Sequence, residues 1–242
     1  MRRRHCWLGL ALAGCAAVAP SIDRQIEYDW AKTVLLGTEV GDSRDAVVRW
    51  QHPVRYLVVE APVRVRQAVD AAFVQLQESL QGSLRLELEH INESDERIGS
   101  DGFITVFAKA PRHAGALAKR YGAQVPHAEA DGWFTIIWNR SFALTRALVF
   151  VAPDLTDKWL RHTALEEMFQ ALGPSNDSPS IRDSLLFESS TTAGSHDRLA
   201  RVDRQVLWLL YRCLQPGDRA GEIEQAMRQS WVFAEAASSG QG

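Results

Sequence analysis

The sequence predicts an α/β (α+β) chain in which an N-terminal lobe of alternating strands and helices is followed by a lobe of helices alone. Leu84, Leu86 and Leu88 alternate strictly with Arg85, Glu87 and Glu89, the period-2 pattern of a strand with one wet face. Val65, Val69, Phe73, Val74 and Leu76 instead keep helical spacing. Beyond residue 151 the remaining periodic segments all read as helices.

Taken in order, residues 55–60 form a β-rich run, and Pro62 opens a helix that continues to residue 80. Residues 84–90 read as the second strand, and 92–102 as an acidic, glycine-containing loop. The carboxylates of that loop raise a calcium hypothesis, but the ordered spacing of an EF-hand is missing. Residues 103–107, 133–138 and 147–151 read as strands, with a helix over 110–122 after the first of them. The order is β-α-β-β-α-β-β, then helices over 158–172, 199–214 and 217–233. Residues 16–51 show no sustained period and are expected to be tether and lead-in, while 236–242 are expected to be a disordered tail.

The N-terminus carries its own signal. Arg2, Arg3 and Arg4 precede a short apolar run from Trp7 to Ala13, too short to span a bilayer, and Leu12-Ala13-Gly14-Cys15 follows. This resembles the bacterial lipobox, in which the cysteine is acylated and becomes the first mature residue. The resemblance implies a signal peptide over 1–14, lipidation at Cys15 and a stable hold on the bilayer through the acyl chains. Ala16 fits the rule by which a residue other than Asp sends such proteins to the outer membrane. The expected location is the bacterial cell envelope, facing the periplasm.

Cysteine usage agrees with that assignment. Of three cysteines, Cys6 leaves with the signal and Cys15 is lipidated, so Cys213 has no intramolecular partner and reads as a buried structural thiol. A net charge of −3 with both signs interspersed gives no reason to expect a nucleic-acid partner. His52, His90, His113 and His127 are scattered without ligand spacing, and Ser189 to Ser195 read as loop.

One segment looks like chemistry. Residues Leu165 to Gly173 read LEEMFQALG, with Asn176-Asp177-Ser178 just beyond. This resembles the His-Glu-x-x-His-x-x-Gly-x-x-His helix of metzincin-type zinc peptidases with its ligands exchanged. Carried over, the metal-ligand positions are Glu166, Gln170 and Asn176, Glu167 stands as general base, and Gly173 makes the turn. Ser184-Leu185-Leu186-Phe187 stands where those enzymes place a methionine turn, and Leu199, Asp203, Leu210 and Tyr211 resemble their closing helix. The combination with the lipobox is also similar to a family of proteobacterial lipoproteins with a domain of unknown function. The resemblance implies a zincin-like domain over 52–235 with a mixed, twisted sheet.

The departures shape the functional expectation. Zinc favours Cys, His and carboxylate ligands, so the amides of Gln170 and Asn176 remove most of the affinity and leave Glu167 a vestigial base. No cofactor is expected. Gln170 and Asn176 are instead expected to tie the helix to the following loop by hydrogen bonds. A rescue set, His162, Glu166, Asp177 and His196, is the alternative metal site, since His162 and Glu166 lie one helical turn apart. The expected function is therefore non-catalytic binding of an envelope peptide, glycan or protein; the alternative is a metallopeptidase-like hydrolase with a divergent site.

Overall fold

The computed structural model describes residues 22–37, 44–80, 82–124, 130–189, 192–193 and 196–238. Cys15 with its signal peptide, His127 and part of the serine-rich stretch lie outside the described residues.

The chain is mixed α/β. Helix α1 (Ile22–Leu36) precedes β1 (Val54–Val59), α2 (Val63–Leu80), β2 (Leu86–Ile91) and β3 (Phe103–Phe107). A short 3₁₀ turn (Pro111–His113) leads into α3 (Gly115–Arg120), followed by β4 (Gly132–Trp138) and β5 (Leu144–Val151). Helix α4 (Asp157–Gln170), a two-rung hairpin of β6 (Glu188–Ser189) and β7 (Thr192–Ala193), α5 (Arg201–Arg212) and α6 (Ala220–Ser238) complete it.

Five strands make one sheet in the order β2-β1-β3-β5-β4. β2, β1, β3 and β5 are mutually parallel, and β4 closes one edge antiparallel to β5. The side-chain period of two sorts the strands between two cores. Tyr56, Val58, Ile104, Val106, Ala147 and Val149 face the larger core with α1, α2, α4, α5 and α6. Val59, Phe107, Leu148 and Phe150 face a smaller one closed by Ala114 and Ala118, where the Phe107 and Phe150 rings stack at 5.2 Å. Strands covered on both faces lose their polar positions, which is why residues 147–151 read as an unbroken apolar run.

The helix α1 was not expected in the lead-in. Tyr28, Trp30, Ala31, Val34 and Leu35 are buried in the larger core, and α1 packs against α6 from the far end of the chain. The expected helix over 110–122 is broken into the 3₁₀ turn and α3. The serine-rich stretch, expected as loop, carries the β6–β7 ladder. α6 continues to Ser238, past the point where a tail was expected to start. Cys213 is half-buried against the larger core rather than fully enclosed. In the 92–102 loop both oxygens of Asp95 accept from Arg97, which also grips Glu89. The Arg97 guanidinium holds the Asp95 carboxyl down at about 2. Arg97 thus organises that loop.

Candidate functional site

Helix α4 lies under the edge of the sheet, packed on α2, β4 and β5. The end of α4 and the residues just after it are buried, and the carbonyls of Met168, Ala171, Leu172 and Gly173 take their donors from side chains. Four side chains from distant parts of the chain supply them. Tyr56 Oη donates to Met168 O at 2.9 Å, Trp50 Nε1 to Ala171 O at 3.0 Å, and Tyr211 Oη to Leu172 O at 2.6 Å. Arg44 Nη2 donates to Gly173 O at 2.8 Å. The turn that follows needs glycine: Gly173 has φ 131°, and a Cβ there would stand 2.7 Å from Val48 O.

Leu160, Ala164, Met168, Ala171 and Leu172 keep helical spacing and read as an apolar stripe, and all five are fully buried. The opposite face is also largely enclosed, with His162, Thr163, Glu167 and Gln170 buried beside a half-buried Glu166. The sequence suggests a solvated polar side; packing makes it an internal one.

His162 is bracketed by two acceptors. Its Nδ1 lies 2.8 Å from His196 O and its Nε2 3.3 Å from a Glu166 carboxylate oxygen, with Trp159 edge-on at 5.5 Å. A neutral ring donates from one nitrogen only, whereas the imidazolium donates from both. Burial works against the charged form, but the Glu166 hydrogen bond and charge and the His196 carbonyl outweigh it and raise the His162 pKa above 6.5.

Glu167 projects toward the start of β4. A Cβ on Gly132 would overlap the Glu167 carboxylate and the Thr163 methyl, closer than a Cβ approaches any heavy atom, so glycine lets helix and strand meet here. Gln170 is buried, and its Nε2 donates to Asp177 Oδ1 at 3.1 Å. That is the expected tie from helix to loop. Asn176 does not share it: its amide lies against Gly37, with Nδ2 3.5 Å from Thr33 O near the end of α1.

The turn expected beneath the helix is built around Asp203. This fully buried carboxylate accepts from Ser184 Oγ at 2.8 Å, Leu185 N at 2.9 Å and Ala200 N at 2.7 Å. The last contact is half a capping box for α5, since Ala200 has no polar side chain to reciprocate. Burial raises the Asp203 pKa, opposed by these donors. Ser178 N donates to Leu186 O at 2.9 Å, joining this turn to the loop after α4.

The donor set does not suit a zinc ion. Asn176 is engaged on α1, and the Gln170 amide is turned to Asp177. The alternative set is not assembled either. His196 reaches His162 through its backbone carbonyl, while its ring Nε2 lies 3.0 Å from Arg182 O. Among the described residues no three His, Cys, Asp or Glu side chains are grouped as a metal site. Of the expected site residues, His162 is brought together with Glu166, and Gln170 with Asp177.

Beside this helix runs a free sheet edge. Ala152 N donates to Asp131 O at 3.0 Å, and the register pairs Trp133 with Phe150 and Thr135 with Leu148. In an antiparallel ladder alternate residues carry the inter-strand bonds, so the main-chain groups of Gly132, Phe134 and Ile136 point away from β5. No strand pairs with that edge among the described residues. Phe134 and Ile136 also lean, half-buried, on the larger core. Sequence reading missed Gly132 and Arg44, because a glycine beside a strand and an arginine in a lead-in carry no pattern.

One family, described as protein of unknown function (DUF2927), matches residues 23–229, from the first turn of α1 into α6. No curated protein matches the chain.

Proposed function

The chain belongs to the DUF2927 family, and from that premise we propose that it is a lipid-anchored envelope protein whose domain binds an extended polypeptide without catalysing a reaction. The observation that carries this reading is the outward-facing main chain of Gly132, Phe134 and Ile136 at the sheet edge, flanked by α4. Strand addition draws its affinity from main-chain hydrogen bonds and its specificity from alternate side chains, and neither needs a metal. The edge sequence GWFTIIW supports it as well. It is free of the charges and prolines with which natural edges resist pairing.

The zincin-like resemblance fits an antiparallel edge strand packed on α4. Gln170 and Asn176 hold loop and α1 instead of a metal. Acyl chains on Cys15 would supply the membrane hold; among the described residues no helix is long and apolar enough to cross a bilayer. Tethering suits a weak binder, because it raises local concentration without any new contact. Fractionation tests the anchor: the Cys15→Ser chain should leave the membrane fraction, and its retention there would refute acylation.

The purified chain should bind proline-free apolar peptides in calorimetry. Ile136→Pro, which removes an N–H the β4–β5 ladder does not use, should weaken binding at least about tenfold, whereas Ile136→Val should bind like wild type. Unchanged binding by Ile136→Pro would overturn the strand-docking reading. Tight, stoichiometric zinc in the purified chain would overturn the non-catalytic one and favour a hydrolase with a divergent site.

A further inference from the structure

We propose that Arg44 is a carboxylate-binding residue at the Trp138 end of the β4 edge, receiving the C-terminal carboxylate or an acidic side chain of the docked strand. This rests on β4 being the docking edge. Arg44 is 8% exposed, and its Nη2 alone serves the protein, donating to Leu35 O at 3.1 Å and Gly173 O at 2.8 Å. Its Nε and Nη1 are buried and have no hydrogen-bond partner, making it the one side chain with two such atoms among those described. Buried donors are ordinarily satisfied, and a charged donor left idle is costlier than a neutral one.

A half-buried arginine, Arg49, shows what a purely structural role looks like here. Arg49 spends Nη1 on Leu210 O at 2.7 Å and Leu214 O at 2.6 Å, spends Nε on Trp50 O at 3.3 Å, and lies over the Tyr211 ring at 4.8 Å. Arg44 has no comparable closure. Burial lowers its pKa to about 10, so the guanidinium remains charged at neutral pH.

Position assigns the ligand. The Arg44 guanidinium lies 5.9 Å from the centre of the Trp138 ring, the last residue of β4. Trp138 is 39% exposed and follows a register irregularity at Ile137/Trp138, a device that re-aims a side chain at the end of a ladder. A strand docked along Gly132, Phe134 and Ile136 runs out at this ring. A carboxylate arriving there would move the ring aside and accept charge-assisted hydrogen bonds from Nε or Nη1.

The test uses the full chain and three probes: N-acetyl-Val-Phe-Val as free acid, the same peptide as its amide, and N-acetyl-Val-Phe-Asp amide. Calorimetry should show the free acid, the Asp amide or both binding at least about tenfold more tightly than the plain amide. The arm that gains identifies the source of the carboxylate. Arg44→Gln should erase the difference and leave the plain amide's affinity in place, and Ile136→Pro should abolish all three. Equal binding of the three probes to wild type, which requires no variant to fold, would overturn the carboxylate site while leaving strand docking intact. If no peptide binds, strand docking fails, and acetate decides the rest. An acetate-dependent shift of the Arg44 Nε resonance, absent in Arg44→Gln, supports the anion site; no shift overturns it.

Discussion

Replacing Asp203 with alanine removes one acceptor group from three donors at once. The carboxylate is 0% exposed and holds Ser184 Oγ, Leu185 N and Ala200 N at 2.7–2.9 Å. Each buried donor left without an acceptor costs roughly 1–3 kcal/mol. Two of them are backbone groups that cannot rotate to a new partner; the Ser184 hydroxyl can. Release of a buried carboxylate returns part of the loss, since burial opposes its ionisation. The expected net destabilisation is about 3 kcal/mol, or about 6–12 °C in Tm for a domain of this size. Urea unfolding followed by circular dichroism measures it. Asp203→Asn keeps one acceptor oxygen and should lose less than half as much. A change below about 1 kcal/mol in Asp203→Ala would show that the Ser184–Leu186 turn is held by packing of Leu185 and Leu186 instead.

Gly132→Ala forces a methyl into the Glu167 carboxylate and the Thr163 side chain and should destabilise by about 1–3 kcal/mol. Adding Glu167→Ala should restore part of that stability; strict additivity of the two losses would mean that helix and strand do not meet there. His162 supplies a pH dependence. Its folded pKa is raised above 6.5, so its contribution is fully present below about pH 6.5 and is lost as pH rises through the raised value. Urea midpoints between pH 5 and 9 should therefore fall on the alkaline side in wild type and flatten in Glu166→Gln, and an identical slope in the two would exclude the pair as its source.

Much of the core was legible because local pattern and tertiary demand agree. β3 and α2 fall where period and the Pro62 start signal put them, and the double-sided burial of β5 is already visible as an unbroken apolar run. α1 was not legible: its buried face is completed by α6, nearly the whole chain away, and periodicity registers only local order. On α4 the apolar stripe was readable, but the burial of His162, Glu167 and Gln170 was not. It comes from β4 and the segment at His196 closing over the polar side.

Sequence by itself determined the residue types offered at the site: two amides and a glutamate at the positions that the zinc-peptidase resemblance assigns to ligands. It also determined a strand without charges over 133–138, while the strand order that puts it at the sheet edge came from the fold. Tertiary structure alone decided the partners. Gln170 turns to Asp177 while Asn176 turns to α1, the His196 ring points away from His162, and Arg44 is buried beside Trp138 with donors to spare. The reason is physical: spacing along one helix constrains which side chains share a face, but hydrogen-bond partners across a core are set by where distant segments close.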